Sequence, residues 1–279
     1  MNELLLSDVI AALAEAYPPA TAQSWDQVGL VTGDPDQPVR RIHLALDPTL
    51  AVIEEARAAG ADLLVTHHPL LMRGVNSLAV TSAKGASVTN LIVGDVALYV
   101  AHTNADVAAE GVCVALADAC GLTDLTPLVI SEDQPLGRVG RLESPLTLGE
   151  FAQRLADGLP SAPVGLRVSG PRDALVETVA VLGGSGDDLF AEVRASGVDV
   201  YVTADLRHHP ALEAREESRD GTPYLVDAGH WASEAVWLPR AADVLRRALG
   251  DRVEVVVSAI VTDPWTFVVH GLAQRGQLQ

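Results

Sequence analysis

Apolar and polar positions alternate along this chain in two distinct rhythms. The opening stretch "MNELLLSDVIAALAEAYPPA" spaces its apolar residues at helical intervals, which predicts an amphipathic first helix ending at Pro18 and Pro19. Further on, short apolar runs such as "LLVT", "ALYV" and "YLVD" stop abruptly at polar or turn residues, as strands do. Near the C-terminal end, "EAVWLPRAADVLRRALG" returns to the helical rhythm and "RVEVVVSAI" predicts a late strand.

One block of this pattern occurs twice without gaps. "IHLALDPTLAVIEEARAAGADLLVT" (42–66) aligns with "VAVLGGSGDDLFAEVRASGVDVYVT" (179–203), pairing Arg57 with Arg194, Gly60 with Gly197, Asp62 with Asp199 and Thr66 with Thr203. Each copy predicts strand, turn, helix and strand, a βαβ unit whose strands run parallel. In the first copy Asp47-Pro48 suits a helix N-cap followed by proline. The second copy has "GGSG" (183–186) at that point. It is either a phosphate cradle of backbone N–H groups or a turn requiring positive φ.

The fold class expected is α/β, with two similar α/β lobes related by the internal repeat and the first lobe discontinuous. Joints are expected around "LTDLTPLVISEDQPLGRVG" (122–140) and "EAREESRDGTP" (213–223). Residues 1–126 together with 224–279 would form one lobe, and 127–223 an inserted second lobe.

Composition narrows the function. The net charge of −18, with Lys84 the only lysine, argues against general nucleic-acid binding. No apolar run approaches the ~20 residues of a membrane span, and the acidic N-terminus lacks a signal peptide's character, so a cytoplasmic location is expected. Cys113 and Cys120, seven apart in a predicted helix, read as buried core thiols, and two cysteines cannot supply a disulfide scaffold.

Candidate chemistry gathers where strands end. "LLVTHHPLL" places His67 and His68 after an apolar run; "ALYVAHTNAD" ends in His102 and Asp106; "YLVDAGHWASE" ends in Asp227, His230 and Glu234. Ligands of open α/β sheets collect at strand carboxyl ends. Imidazole and carboxylate are common ligands of Zn, Fe and Mn. His230 and Glu234, four apart, share one face of a helix. His67 and His68 can serve one metal together only after a turn, since adjacent strand residues point to opposite faces. Together with Asp106 these make five candidate ligands, too many for one tetrahedral ion and suited to two that share a bridge. Asp106 could also simply N-cap the helix that follows. A second pair, His208 and His209, reads as cleft-lining or structural. His43 and His270 read as incidental, and no GxSxG elbow is present.

Taken in order, "SWDQVGLVTGD", "LLVTHHPLL", "AHTNAD", "YVTADLRHH" and "DAGHWASE" resemble the dinuclear-metal-centre hexameric protein family. Its bacterial members are commonly named GTP cyclohydrolase 1 type 2 homologues, and its eukaryotic relatives NGG-one-interacting-factor-three-like proteins. The resemblance spans about residues 5–267 and is to the short form, without an extra domain between the lobes. Gln27 departs from the Asn usual after Trp-Asp, and Ala204 from the Gly usual before the Asp of the second-lobe motif.

The resemblance implies two divalent metal ions per chain (Zn, Fe or Mn) held by His67, His68, Asp106, His230 and Glu234, in a toroidal homohexamer built as a trimer of dimers. It also implies a hydrolase acting on a nucleotide, in which metal-bound hydroxide attacks C8 of a guanine ring and formate leaves. His102 is the candidate for proton transfer, or else orients Asp106. The alternatives are a non-catalytic metal-binding or adaptor assembly and a dinuclear nucleotide phosphoesterase.

Overall fold

The structure is a computed structural model and describes residues 3–219 and 221–269. The first part of the chain forms α1 (Leu6–Ala16), β1 (Gly29–Thr32), β2 (Arg41–Ala45), α2 (Leu50–Ala58), β3 (Leu63–Thr66), α3 (Ala83–Val93) and β4 (Ala97–Val100). Two helices, α4 (Thr103–Val107) and α5 (Val112–Ala119), lead away from this sheet. A second region contains β5 (Leu122–Ser131), β6 (Gln134–Thr147), α6 (Leu148–Gly158), β7 (Arg167–Ser169), β8 (Leu175–Ser185), α7 (Phe190–Ser196), β9 (Val200–Ala204), α8 (His208–Glu217) and β10 (Tyr224–Asp227). The chain then runs through α9 (His230–Ala235) and α10 (Trp237–Leu249) to β11 (Glu254–Val257).

Two sheets result, ordered β1-β4-β3-β2-β11 and β5-β6-β8-β9-β10-β7. In the first, β4, β3, β2 and β11 are parallel and β1 is antiparallel at the edge. Every residue of β3 and β4 is buried, which is why these strands read as unbroken apolar runs. In the second sheet, β8, β9 and β10 are parallel. The mixed α/β class expected from the sequence is the one observed. None of the described helices is long and apolar enough to cross a membrane.

Both aligned blocks fold as parallel βαβ units, β2-α2-β3 and β8-α7-β9. Their matched residues make matched contacts. The Asp62 carboxylate accepts from the backbone N–H groups of Arg40 and Arg41, and the Asp199 carboxylate from those of Glu177 and Thr178. Gly60 and Gly197 both adopt positive φ, 68° and 71°.

The expected joints fare differently. Residues 122–140 are no linker: β5 and β6 pair antiparallel across a two-residue turn in which Glu132 and Asp133 both have positive φ, the hairpin geometry usually signalled by Asn-Gly. The first five of the eleven residues of the expected second joint are helix, since α8 continues to Glu217. Sheet membership also changes at other residues than the 126/127 and 223/224 boundaries. Leu122 already belongs to the second sheet, and β10 pairs with β9 through Asp227. The return to the first sheet is made by α10, which packs on α1 and β11. The physical reason is that "YLVD" finds a parallel partner in β9, while the amphipathic face of α10 covers the first sheet. The N-cap of α2 is Thr49, whose hydroxyl accepts from Val52 N–H; Asp47 is left for another task.

Trp237 is the largest wholly buried side chain. Its indole meets the Tyr17 ring edge-on at 5.4 Å and donates Nε1–H to the Tyr17 hydroxyl. It also lies 5.5 Å from the His67 ring, so the core of the first sheet backs directly onto the residues described next. Trp237→Ala should cost about 3–5 kcal/mol of stability, because it opens a cavity and removes the donor to the Tyr17 hydroxyl, which keeps only its own bond to the Glu110 carbonyl. Denaturant unfolding checks this; a loss under about 1 kcal/mol would show that the neighbours collapse into the space.

Candidate metal centre

The carboxyl ends of β3, β4, β8 and β10 converge between the two sheets. His67 and His68 follow β3 directly, and the chain turns there, with the Thr66 hydroxyl donating to the His68 carbonyl. That turn brings both rings to one side, centroids 5.1 Å apart, against the alternation of a strand. The "HTNAD" stretch divides its labour. Thr103 donates to Asp26 through both N–H and hydroxyl, Asn104 ties His102 N–H to the Tyr17 carbonyl, and Asp106 turns inward within α4. Asp106 is therefore inside its helix and not at its N-cap.

Glu234 sits at the middle. One carboxylate oxygen, Oε1, is 3.7 Å from His67 Nε2 and 3.2 Å from His230 Nε2. The other lies 2.9 Å from His68 Nε2, yet is not aligned for a directed hydrogen bond. Asp106 Oδ1 is 3.6 Å from His67 Nε2, and His68 Nε2 and His230 Nε2 are 3.3 Å apart. All five sequence candidates are thus brought together. His102 joins them, its ring clustering with those of His67 and His68.

Each imidazole is held in the same way, by its Nδ1. His67 Nδ1 meets the Ala101 carbonyl at 2.9 Å, His68 Nδ1 the Asp47 carboxylate at 2.7 Å, His230 Nδ1 the Asp205 carboxylate at 2.8 Å and His102 Nδ1 the Asp26 carboxylate at 3.0 Å. An oxygen that accepts Nδ1–H fixes the tautomer and leaves Nε2 with a lone pair, the arrangement that supports metal-ligating histidines. Three of the inward atoms, His67 Nε2, Asp106 Oδ1 and Glu234 Oε2, are buried without a hydrogen-bond partner. Such groups are costly unless something satisfies them, and a divalent cation is what this donor set suits.

The charges make the same point. Burial opposes protonation of His68, but the Nδ1–H it donates to Asp47 and the charges of the neighbouring Glu234 and Asp47 carboxylates outweigh it and lift its pKa to about 10. His230, under the same opposing influences, rises to about 9 through Glu234 and Asp205. Burial, then the Glu234 charge, pushes Asp106 up to about 7. Glu234 stays well below the usual carboxylate range because the surrounding imidazoles outweigh its burial. Without metal, protons on histidine supply the positive charge that the carboxylates demand.

The "GGSG" turn takes the positive-φ alternative of its two readings. Gly184 has φ of +68°, and a Cβ there would stand 2.2 Å from Glu234 Oε1. Its N–H donates to the Ser233 hydroxyl. The second sheet thus approaches Glu234 with bare backbone, a role that composition alone could not reveal. Asp47, Asp205 and Asp26 also escaped the sequence reading as supporting residues; their positions at strand ends and in "SWDQ" were the available signal. Asp227 is occupied by Leu206 N–H, Gly229 N–H and Arg167. His208 and His209 lie exposed at the start of α8, and His43 pairs with Glu55 at 2.8 Å; His270 lies outside the described residues.

A two-sheet α/β protein with buried histidine and carboxylate donors at facing strand ends is the class so defined. The profile of the Duf34/NIF3 (NGG1p interacting factor 3) family matches residues 4–264, and the chain belongs to that family. It is similar to the GTP cyclohydrolase 1 type 2 homolog of Streptomyces coelicolor, 50% identical over 94% of this chain and 93% of that one. The homolog from Mycobacterium tuberculosis is 36% identical over 369 aligned residues, covering 93% of this chain and 96% of its own length. That span exceeds the 279 residues here, so the mycobacterial protein carries additional residues within the match. Among solved structures, a Bacillus cereus protein related to NIF3 superposes with a TM-score of 0.89 at 25% identity, covering 96% of this chain and all of that one. Reduced HcgD from Methanocaldococcus jannaschii gives 0.78 at 29% identity, covering 93% and 100%.

Two outcomes follow from this geometry. Gly184→Ala should leave the circular dichroism spectrum intact and remove most bound metal, since the new methyl strikes Glu234; metal content equal to wild type by elemental analysis would contradict that. Metal added to metal-free protein near pH 7.5 should release at least one proton per chain, because the carboxylates around His68 and His230 raise their affinity for protons and ligands bind deprotonated. Affinity accordingly falls as pH falls. The two histidines stabilise the metal-free fold fully below about 6.5, and that contribution is lost as pH rises through about 9 to 10. Titration in weak buffer measures the release; none would refute the proton-for-metal exchange.

Proposed function

We propose that this chain is a dinuclear metal-binding protein that acts as a metal-dependent hydrolase on a nucleotide, in the manner implied by the name GTP cyclohydrolase 1 type 2 homolog carried by its relatives. The observation that carries the proposal is the set of buried, unpartnered donor atoms on His67, Asp106 and Glu234 beside the His68–His230 pair. In this reading His67, Asp106 and Glu234 hold one divalent ion, and His68, His230 and Glu234 the other, with Glu234 common to both. Zn, Fe and Mn suit a mixed set of imidazole and carboxylate donors. Bound there, such ions would acidify water and polarise an electrophilic carbon or phosphorus.

The chain's own residues manage orientation and protons. Asp47, Asp205 and the Ala101 carbonyl keep each ring from rotating. Asp26 is held well below the usual carboxylate range: its burial is outweighed by hydrogen bonds from His102 and Thr103, so it stays an anion. It accepts the Nδ1–H of His102 and thereby leaves Nε2 free to take a proton from water and return it to a leaving nitrogen. A second reading rests on the clustering of His102 with His67 and His68. If His102 is a donor to metal, the site is more closed, and a non-catalytic metal-binding or adaptor role gains.

We further propose assembly into a homohexamer, a trimer of dimers, in the cytoplasm. Exposed Met72, Val75, Leu78 and Val80, with Ile92 and Val93 at the end of α3, form apolar surface that an assembly would cover.

The test is turnover of GTP and a nucleotide panel by protein of verified metal content, with formate and phosphate both measured. His68→Ala should lose metal and activity together. His102→Gln should keep metal and slow turnover by roughly 10²-fold. No turnover by fully loaded wild type would defeat the hydrolase, and metal loss in His102→Gln would favour the second reading.

A further inference from the structure

A cavity of about 710 Å³ opens over His68 and His230, within the ~300–1,000 Å³ typical of small-molecule sites. Its other walls set it apart from the metal donors. Trp231 and Trp265 contribute indole surface, and Arg167 and Arg207 stand among the lining residues. Trp265 is 65% exposed, an unusual state for the most apolar-rich of side chains, and it belongs to no core cluster.

The segment carrying it is tied to the metal centre. The Thr262 hydroxyl donates to Asp47, the same carboxylate that holds His68, and Trp265 N–H donates to Asp263 at 2.8 Å. The backbone that carries the indole is therefore tethered to the edge of the histidine cluster. The two arginines are anchored from behind: Arg167 on buried Asp227 and Arg207 on buried Asp187. Among the described residues, Arg167 Nε and Nη1 make no hydrogen bond and present a free edge, whereas Arg207 keeps only Nη1 uncommitted, its Nη2 being shared between Asp187 and Asp188. With a net charge of −18, the protein repels a bare anion, and two arginines already paired with aspartate offset this weakly. An anion retained here needs a second source of binding, and the exposed indole supplies one by stacking.

We propose that this cavity binds a purine nucleotide, its heterocycle stacked on Trp265 and its phosphate on the outer edges of Arg167 and Arg207. This deepens the hydrolase reading by placing that enzyme's substrate, but it is tested by binding, apart from turnover.

The experiment is calorimetric titration of metal-loaded protein with guanosine monophosphate, guanosine, ribose 5-phosphate and inorganic phosphate. The nucleotide should bind, the nucleoside about tenfold more weakly for want of the charge-assisted contacts, and neither ribose 5-phosphate nor phosphate measurably. Trp265→Ala should weaken nucleotide and nucleoside alike by at least about fivefold, the low end for a base on an aromatic face, with metal content unchanged. Arg207→Lys, which keeps a cation on Asp187, should weaken only the nucleotide. Wild-type affinity in Trp265→Ala overturns the proposal, all the more if light scattering shows a smaller particle, which would make the indole a contact between subunits. Phosphate binding as tightly as the nucleotide also overturns it. Binding as expected with no nucleotide turned over supports the cavity and defeats the hydrolase; turnover untouched by Trp265→Ala does the reverse.

Discussion

A single buried carboxylate sets the terms for this molecule. Glu234 is 4% exposed and faces three imidazoles at 2.9–3.7 Å. A carboxylate removed from water in this way is tolerable only with positive charge close by. Much of the surrounding construction serves that requirement. The helix α9 places Glu234 one turn from His230, the turn after Thr66 folds two adjacent rings to one side, and Gly184 gives up its side chain so that backbone can come close.

The supporting carboxylates extend the logic outward. Asp26, Asp47 and Asp205 each take an Nδ1–H and so decide which nitrogen of each histidine faces inward. A histidine without such a partner could present either nitrogen, and a cluster of four would rarely be ordered correctly. Asp205 stands two residues past the second copy of the repeated block, as His68 stands two past the first, and Gly184 is aligned with Asp47. Equivalent places in the two βαβ units thus serve one cluster with different chemistry: imidazole and its supporting carboxylate in the first, a buttress and a bare seat in the second.

How much of this could be read beforehand depends on the range of the interaction. The strands around "LLVT" and "ALYV" were legible because burial on both faces leaves an unbroken apolar run. The five donors were legible because histidine and carboxylate at three strand ends is a local signal. The β5–β6 hairpin was not, since β5 is largely exposed and its turn uses Glu132-Asp133 in place of glycine. The assignment of β10 was missed because "YLVD" carries no label for which sheet will pair with it. Asp47 was read as a helix cap from its neighbour Pro48, whereas a contact with His68 twenty-one residues on claims it. Tertiary partners of that kind leave no periodicity to detect.

The centre draws on Asp106 and on His230, which the chain separates by the whole of the second sheet. Nothing resembling the finished donor set can therefore exist in a nascent chain that has produced only the first histidines. His67 and His68 alone would offer a passing metal a loose, exchangeable grip, and the Glu234 carboxylate arrives only with α9, after every strand of the second sheet has been made. Long-range closure of this sort is slow relative to local folding. Any ion the centre takes up would accordingly be chosen by the completed fold, and once enclosed it would act as a rivet between the two sheets.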